Sequence, residues 1–250
     1  MVTDHGSVWL IGGEAGVGKS RLVDELRILA LVRGVLVVRG QTITEASAPY
    51  QLWRSVLSRL ILEIELEPLQ ASVLKPMVDN IELLTGMTDV PDAPDIGAVA
   101  SYNRLLTVIT ELLSQITRPL LIILEDVHLA SESLNLLRQI IPLTEKSHLM
   151  IVCTYRRDDR PDLQSLLPGT QHLMLNALRE KAILQFTDSI LDSHAKARKL
   201  SELLNAETNG NVMFIIEFLR ALIEAFGSIE KLMPEQIPDD LRGGGIKAVI

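Results

Sequence analysis

A glycine-rich stretch directly after a short apolar run is the feature that most restricts the fold of this chain. The run is Val8–Ile11, and residues 13–20 read GEAGVGKS, which fits the pattern G-x-x-x-x-G-K-[ST]. Glycines let the backbone curl so that successive N–H groups point at a phosphate, the lysine reaches its outer oxygens, and the serine hydroxyl can ligate Mg²⁺. A Gly-rich turn with a surface lysine would not need a strand before it and a helix after it. The sequence therefore predicts a loop that binds the phosphates of a nucleoside triphosphate.

Apolar runs alternate with helical repeats over the first two thirds of the chain, and only helical repeats follow. We predict strands at Val8–Ile11, Val35–Arg39, Leu120–Leu124, Leu149–Tyr155 and His172–Leu175. We predict helices at Lys19–Val32, Tyr50–Leu66, Tyr102–Ile116, Ser131–Ile141, Arg179–Asp192, Ala195–Glu207 and Val212–Phe226. Strands that alternate with helices of ten or more residues indicate a parallel sheet covered on both faces. The expected fold is an α/β P-loop NTPase with a parallel five-stranded sheet flanked by helices, followed by a small helical lid subdomain.

The same pattern divides the chain. We expect a nucleotide-binding core over residues 1–175, with a Pro-punctuated variable insertion at 68–97, and a helical lid over 176–232. Three consecutive glycines, Gly243 to Gly245, raise the entropic cost of any helix there. Residues 233–250 are therefore expected to be a truncated, disordered tail.

Two acidic residues and an arginine follow buried strands at the edge where the loop should lie. Glu125 and Asp126 come after Leu120–Leu124, and Arg156 ends the run Leu149–Tyr155. Ligands of open α/β sheets bind at the carboxyl ends of the strands. We expect Glu125 and Asp126 to serve Mg²⁺ and the attacking water, in an order that the residue types leave open, and Arg156 to touch the γ-phosphate. An exposed arginine in a charged loop is the alternative for Arg156.

The expected contacts of ATP follow from the pattern, with Ser20 as a further ligand of Mg²⁺ beside Glu125 and Asp126. Arg21 faces the α-phosphate side or solvent in this interpretation, and His128 either senses the γ-phosphate or packs at the sheet edge. If Asp126 polarises the attacking water, its short side chain predicts slow hydrolysis, so the chain is expected to be a weak ATPase at most. The nucleotide-binding residues are Gly13, Glu14, Ala15, Gly16, Val17, Gly18, Lys19, Ser20 and Arg21.

Composition excludes several other classes. No apolar run approaches the roughly 20 residues that a membrane-spanning helix needs, and no signal peptide is readable at the N-terminus, so we expect a cytoplasmic protein. The net charge of −8 and the lack of a strongly basic cluster argue against direct nucleic-acid contact. The single cysteine, Cys153, lies in an apolar run and is expected to be a buried core residue.

These pieces together resemble a known group, the AAA-type (Orc1-like) ATPase module of bacterial signal-transduction ATPases with numerous domains. The resemblance spans most of the chain. The motifs that carry it are Gly13–Leu22, Ala48-Pro49-Tyr50, Arg118-Pro119, Leu124–Ala130, Thr154-Tyr155-Arg156 and Thr208–Leu219.

The resemblance implies a nucleotide-dependent switch within a larger signalling or transcriptional regulator, of the kind found in MalT-like and LuxR-type regulators and beside adenylate cyclase domains. It implies downstream output or repeat domains as partners and a homo-oligomeric active state. The sequence departs from the family pattern at two places, and both predict weaker contacts with adenine. Val212 stands where the family usually has proline, and no upstream segment that would lie over the adenine precedes Val8.

Three other functions compete with this one. A DNA-acting Orc1-like ATPase would need a basic surface or a helix-turn-helix, which the sequence does not offer. A small-molecule kinase would need an arginine-rich lid, whereas Val212–Phe226 is mainly Leu, Ile and Phe. A non-hydrolysing nucleotide-binding scaffold would keep the loop and lose the hydrolysis.

Overall fold

A computed structural model describes residues 5–41, 50–129, 131–145 and 147–228 of the 250-residue chain. The predicted tail at 233–250 and most of the predicted loop at 40–49 lie outside these ranges. The chain divides into two compact units. Residues up to 12 and 20–174 form the first unit, and residues 13–19 with those from 175 onward form the second.

The first unit is built on a five-stranded sheet of order β2-β3-β4-β1-β5, with parallel neighbours. The register places Leu36 opposite Leu120 and Leu120 opposite Leu149. All six residues of β3 are buried, as expected of a strand covered by helices on both faces. The predicted strands are therefore confirmed within one or two residues at each end. They are β1 Ser7–Gly13, β2 Leu36–Gln41, β3 Leu120–Glu125, β4 Leu149–Arg156 and β5 Gln171–Met174.

Seven helices accompany the sheet in the described part of this unit. They are α1 Lys19–Val32, α2 Gln51–Leu60, α3 Pro68–Leu74, α4 Ile81–Thr85, α5 Ala98–Gln115, α6 Ser131–Thr144 and α7 Leu163–Leu166. The bounds of α1 agree with the prediction. The four residues of α7 are too few to show a helical repeat in the sequence.

The predicted helix at Tyr50–Leu66 is wrong at its C-terminal end. Helix α2 stops at Leu60, and a single 3-10 turn, Ile61–Glu63, follows it. Pro68 is the first residue of α3, and Glu67 before it is extended and caps the new helix together with Gln70. Because the residue before a proline is disfavoured in the α region, the chain has to leave one helix before it starts the next.

The region predicted as a variable insertion contributes to the main core. Trp53 on α2 is fully buried, and its indole N–H donates to the carbonyl oxygen of Ser133 at 3.1 Å. Seven residues of the 68–97 region are buried in the same apolar cluster as the sheet: Ala71, Val73, Leu74, Met77, Val78, Ile81 and Val90. This region is thus packed against the sheet.

The second unit contains three helices with a core of their own. They are α8 Glu180–Ile190, α9 His194–Thr208 and α10 Val212–Phe226. The bounds of α10 agree with the prediction because both ends are capped, by Asn211 before it and by Gly227, with φ +78°, after it. Among the buried residues of this core are Ile183, Leu200, Leu204, Phe218 and Leu222. Across the described residues, no helix is both long and apolar enough to cross a membrane.

Candidate nucleotide-binding site

The predicted site residues divide between the two units. Gly13–Lys19 belong to the second unit, together with the helices α8–α10. Ser20, Arg21, Glu125, Asp126 and Arg156 belong to the first.

The loop between β1 and α1 has a backbone that glycine alone accommodates easily. Gly16 and Gly18 have φ values of +78° and +101°, in the region that L-residues with a side chain rarely adopt. Helix α1 begins at Lys19, and the first turn of any helix leaves backbone N–H groups without intrahelical partners. The loop therefore ends at a helix N-terminus, which favours anions.

Lys19 keeps its ammonium group at the loop. Its Nζ donates to the carbonyl oxygens of Gly13 at 2.9 Å and Glu14 at 2.7 Å, and the residue is only 9% exposed. A lysine on an outward-facing turn would extend into water instead. The structure thus places the charged group at the loop, as the sequence pattern requires.

The loop is also bonded to the start of α10. The Asn211 side chain donates through Nδ2 to the carbonyl oxygen of Ala15 at 2.8 Å, and the backbone N–H of Met213 donates to the carbonyl oxygen of Gly16 at 3.0 Å. In the sequence, Asn211 belongs to the Thr208–Leu219 motif, and no separate role was predicted for it. Its position directly before a helix was the available signal, although that signal indicates a cap and not a link to the loop.

In the first unit, the predicted acids lie where the parallel strands end. Glu125 is the last residue of β3 and is 2% exposed, whereas Asp126 follows the strand and is partly exposed. Arg156 is the exposed last residue of the neighbouring strand β4. The sheet therefore brings Glu125, Asp126 and Arg156 to one edge.

Glu125 is engaged by an arginine that sequence reasoning did not assign. The Arg39 guanidinium forms an ion pair with the Glu125 carboxylate and lies 3.4 Å from Oδ1 of Asp24 on α1. In the register of β2 and β3, Arg39 lies opposite Ile123. Ile123 is two residues before Glu125 on β3, so the side chains of Arg39 and Glu125 lie on the same face of the sheet. The available signal for this partner was a charged residue directly after three apolar residues of the strand.

Asp126 is held in an uncommon backbone conformation. Its φ is +54°, in the left-handed region, and its backbone N–H donates to Oγ1 of Thr154 on β4 at 3.2 Å. Aspartate tolerates this region better than most residues, but single left-handed residues still cost about 1–2 kcal/mol. Thr154 is buried, so its hydroxyl serves the Asp126 backbone from inside the sheet.

The remaining candidates lie as follows. Ser20 is exposed at the start of α1, and the Arg21 guanidinium pairs with Glu25 one turn further along the helix at 2.5 Å. His128 is buried, and its Nε2 lies 3.4 Å from Oδ2 of Asp159, which favours packing over the γ-phosphate role.

Burial raises the pKa values of the Cys153 thiol and the Tyr155 phenol on β4, so both groups stay neutral at pH 7. The expectation that Cys153 is a buried core residue is confirmed.

Comparison with known proteins agrees with this arrangement. A family model described as the AAA ATPase domain matches residues 2–152. The chain belongs to the AAA ATPase domain family. No curated protein matches the sequence of this AAA domain.

Two solved structures are similar to this AAA domain. One is from the HORMA:CdnC:Trip13 complex of E. coli MS115-1, at 10% identity and a TM-score of 0.52. The match covers 93% of this chain and 72% of that chain. The other is the FIGL-1 AAA domain in complex with ADP, at 12% identity and a TM-score of 0.43, with coverage of 93% and 67%. The predicted resemblance to an AAA-type module and the predicted fold class are confirmed.

Proposed function

We propose that this AAA domain is an ATP-binding regulatory module that hydrolyses ATP slowly and switches the state of a larger signalling or transcriptional regulator. The observation that carries the proposal is the Gly13–Lys19 loop, with positive φ at two glycines and the Lys19 ammonium held at its carbonyl oxygens. On binding, phosphate oxygens replace these carbonyl oxygens as acceptors for the ammonium. The loop backbone and the N-terminus of α1 hold the remaining phosphate charge.

The donor types of the candidate residues fit Mg²⁺. This ion prefers oxygen ligands and is usually held by one or two carboxylates and a hydroxyl together with phosphates and water. Within the described ranges, no group of three or more His, Cys, Asp or Glu is placed to hold a metal ion by itself. We assign Ser20, together with one of the two acids, Glu125 or Asp126, acting through water, to Mg²⁺ that arrives with the nucleotide; the ion would neutralise charge on the phosphates.

The contacts of the two acids suggest different roles. Glu125 is buried and already paired with Arg39, so its carboxylate is less available to water than that of Asp126. Asp126 lies past the strand end, partly exposed, in a conformation held by Thr154. We therefore assign Asp126 to the attacking water and Glu125 to the metal shell, with Arg156 as the γ-phosphate contact.

Slow hydrolysis follows from the short side chain at this position. An aspartate reaches one methylene less far than a glutamate, so the water that it polarises lies further from the in-line position, and small misplacements lower rates strongly. A long-lived ATP state suits a switch better than a motor. A steady-state turnover in the range of fast motor ATPases would contradict this part of the proposal.

The test is binding of a fluorescent ATP analogue and single-turnover hydrolysis on the full chain. Lys19→Ala is expected to abolish binding, while Lys181→Ala, at an exposed lysine of α8, keeps it. Asp126→Ala is expected to keep binding and to remove hydrolysis. Equal loss of both activities would assign Asp126 to metal binding instead, and binding that does not depend on Lys19 would refute the site.

The regulatory part needs separate evidence. If ATP promotes a homo-oligomer, light scattering should show a larger particle with ATP than with ADP, and Lys19→Ala should remain at the ADP size. Binding without detectable hydrolysis in the wild type would favour the non-hydrolysing scaffold. A nucleotide-dependent affinity for duplex DNA would favour the Orc1-like alternative.

A further inference from the structure

The side chain of Asn211 joins two structures with a single amide group. Its Oδ1 accepts from the backbone N–H groups of Met213 at 3.1 Å and Phe214 at 3.4 Å, which caps helix α10. Its Nδ2 donates to the carbonyl oxygen of Ala15 in the phosphate loop at 2.8 Å. A helix cap needs only the acceptor oxygen, and serine or aspartate caps as well as asparagine does. The donor is therefore a second function of this side chain.

The backbone around Asn211 makes the same connection. The N–H of Met213 donates to the carbonyl oxygen of Gly16 at 3.0 Å. A Cβ added to Gly16 would lie 2.6 Å from Asn211 Oδ1 and 2.9 Å from the Met213 Cβ, so no side chain fits between the loop and the helix start. One residue before Asn211, the carbonyl oxygen of Gly210 accepts from the N–H of Leu178 at 2.8 Å. The loop is thus bonded to α10, and the start of α10 is bonded to the segment before α8.

We propose that Asn211 is a positioning residue that couples the phosphate loop to helix α10, so that a phosphate bound in the loop and the first turn of α10 stabilise each other. This inference rests on the proposed nucleotide site and adds a route by which occupancy of the loop affects helix α10. The coupling is reciprocal: what orders α10 also tightens the loop, and what opens α10 loosens it. Asn211 does not need to touch the nucleotide.

Two substitutions separate the donor from the cap. Asn211→Ser keeps a capping oxygen but is too short to reach Ala15, and it adds no charge. Asn211→Asp keeps the shape and both capping contacts but has no donor; it is used only without nucleotide, because its charge would repel phosphate. Asn205→Ser is the matched control, since the Asn205 side chain donates to Glu180, between α9 and α8, at 3.2 Å.

The first measurement is hydrogen exchange of the ligand-free full chain. Amides of residues 15–18 are expected to exchange about two- to tenfold faster in Asn211→Ser and Asn211→Asp than in the wild type, the range for loss of one partly exposed hydrogen bond. The interior of α10 and the Asn205→Ser control should be unchanged. Equal exchange of the loop in the wild type and both variants would overturn the coupling, whether or not the protein binds nucleotide.

The second measurement is the Kd for a fluorescent ADP analogue together with exchange at saturation. Asn211→Ser is expected to weaken binding about two- to tenfold, and ADP should protect the first turn of α10 less in this variant than in the wild type, because only the backbone bond from Met213 to Gly16 then remains. Unchanged affinity and unchanged protection of α10 would overturn the proposal. If wild-type binding does not depend on Lys19, the nucleotide site itself fails, and the ligand-free exchange still decides the role of Asn211.

Discussion

Replacing Thr154 by valine tests whether the backbone of Asp126 is set by its bond to β4. The hydroxyl oxygen of Thr154 accepts a hydrogen bond from the Asp126 N–H at 3.2 Å, and the φ of Asp126 is +54°. Valine has nearly the same shape but no acceptor. The left-handed conformation costs about 1–2 kcal/mol, and one hydrogen bond contributes about 1 kcal/mol, so its loss shifts the balance toward other conformations.

The expected magnitude follows from that bond. A loss of about 1 kcal/mol lowers the population of the observed Asp126 conformation about fivefold relative to its competitors. Single-turnover hydrolysis should fall by up to the same factor, while affinity for an ATP analogue should change less than twofold, because the loop that holds the phosphates is not altered. Both tryptophans, Trp9 and Trp53, lie in the sheet unit, so their fluorescence reports its thermal unfolding.

Thr154→Ser is the matched control. Serine keeps the acceptor and loses a buried methyl group, which costs about 1 kcal/mol, similar to the stability loss expected for the valine variant. Each variant should lower Tm by about 2–4 °C for a protein of this size. Only Thr154→Val should hydrolyse ATP more slowly than the wild type. If both variants hydrolyse ATP at the wild-type rate, or if both lose it equally, the bond to Asp126 is not what positions this carboxylate.

Two further predictions concern the same sheet. Arg39→Ala leaves the buried Glu125 carboxylate without its ion-pair partner and should lower the free energy of unfolding, followed by tryptophan fluorescence, by about 1–3 kcal/mol. The loss is smaller than for a fully buried pair because Arg39 is 40% exposed. The control Arg27→Ala removes a contact with Asp24 at 3.8 Å and should lower the free energy of unfolding by about 0.5 kcal/mol or less, so equal losses in the two variants would contradict this prediction. Burial raises the pKa of the Cys153 thiol, so iodoacetamide at pH 8 should label this residue only as the sheet unit unfolds, and rapid labelling of the native protein would show that β4 is not buried.

Local signals in the sequence were sufficient for most of the fold. The phosphate loop, the buried strand β3 and the capped helix α10 each carry their pattern within a dozen or so residues. The end of α2 was predicted wrongly because Pro68 and its cap Glu67 compete with a helical repeat that continues on apolar spacing alone. The short helix α7 carries no repeat from which it could be predicted.

The contacts that give the site its geometry lie beyond such local patterns. Asp126 and Thr154 are 28 residues apart, and Ala15 and Asn211 are 196 apart. The Arg39–Glu125 pair depends on the register of β2 against β3, which a single sequence does not specify. The residue types at the site were therefore predictable, whereas the partners that orient them required the tertiary structure.

Glycine is required at two positions of the loop for different reasons. Gly18 has a positive φ, but a Cβ there would meet no atom within 4 Å, so its backbone conformation alone requires glycine. Gly16 has a positive φ as well, and a Cβ there would strike Asn211 and Met213. Phosphate binding explains why the loop must curl, but it does not explain why Gly16 must also leave room for the start of α10. The pattern G-x-x-x-x-G-K-[ST] constrains neither Gly16 nor Asn211, so in this chain the contact between loop and helix is a requirement separate from the phosphate-binding motif.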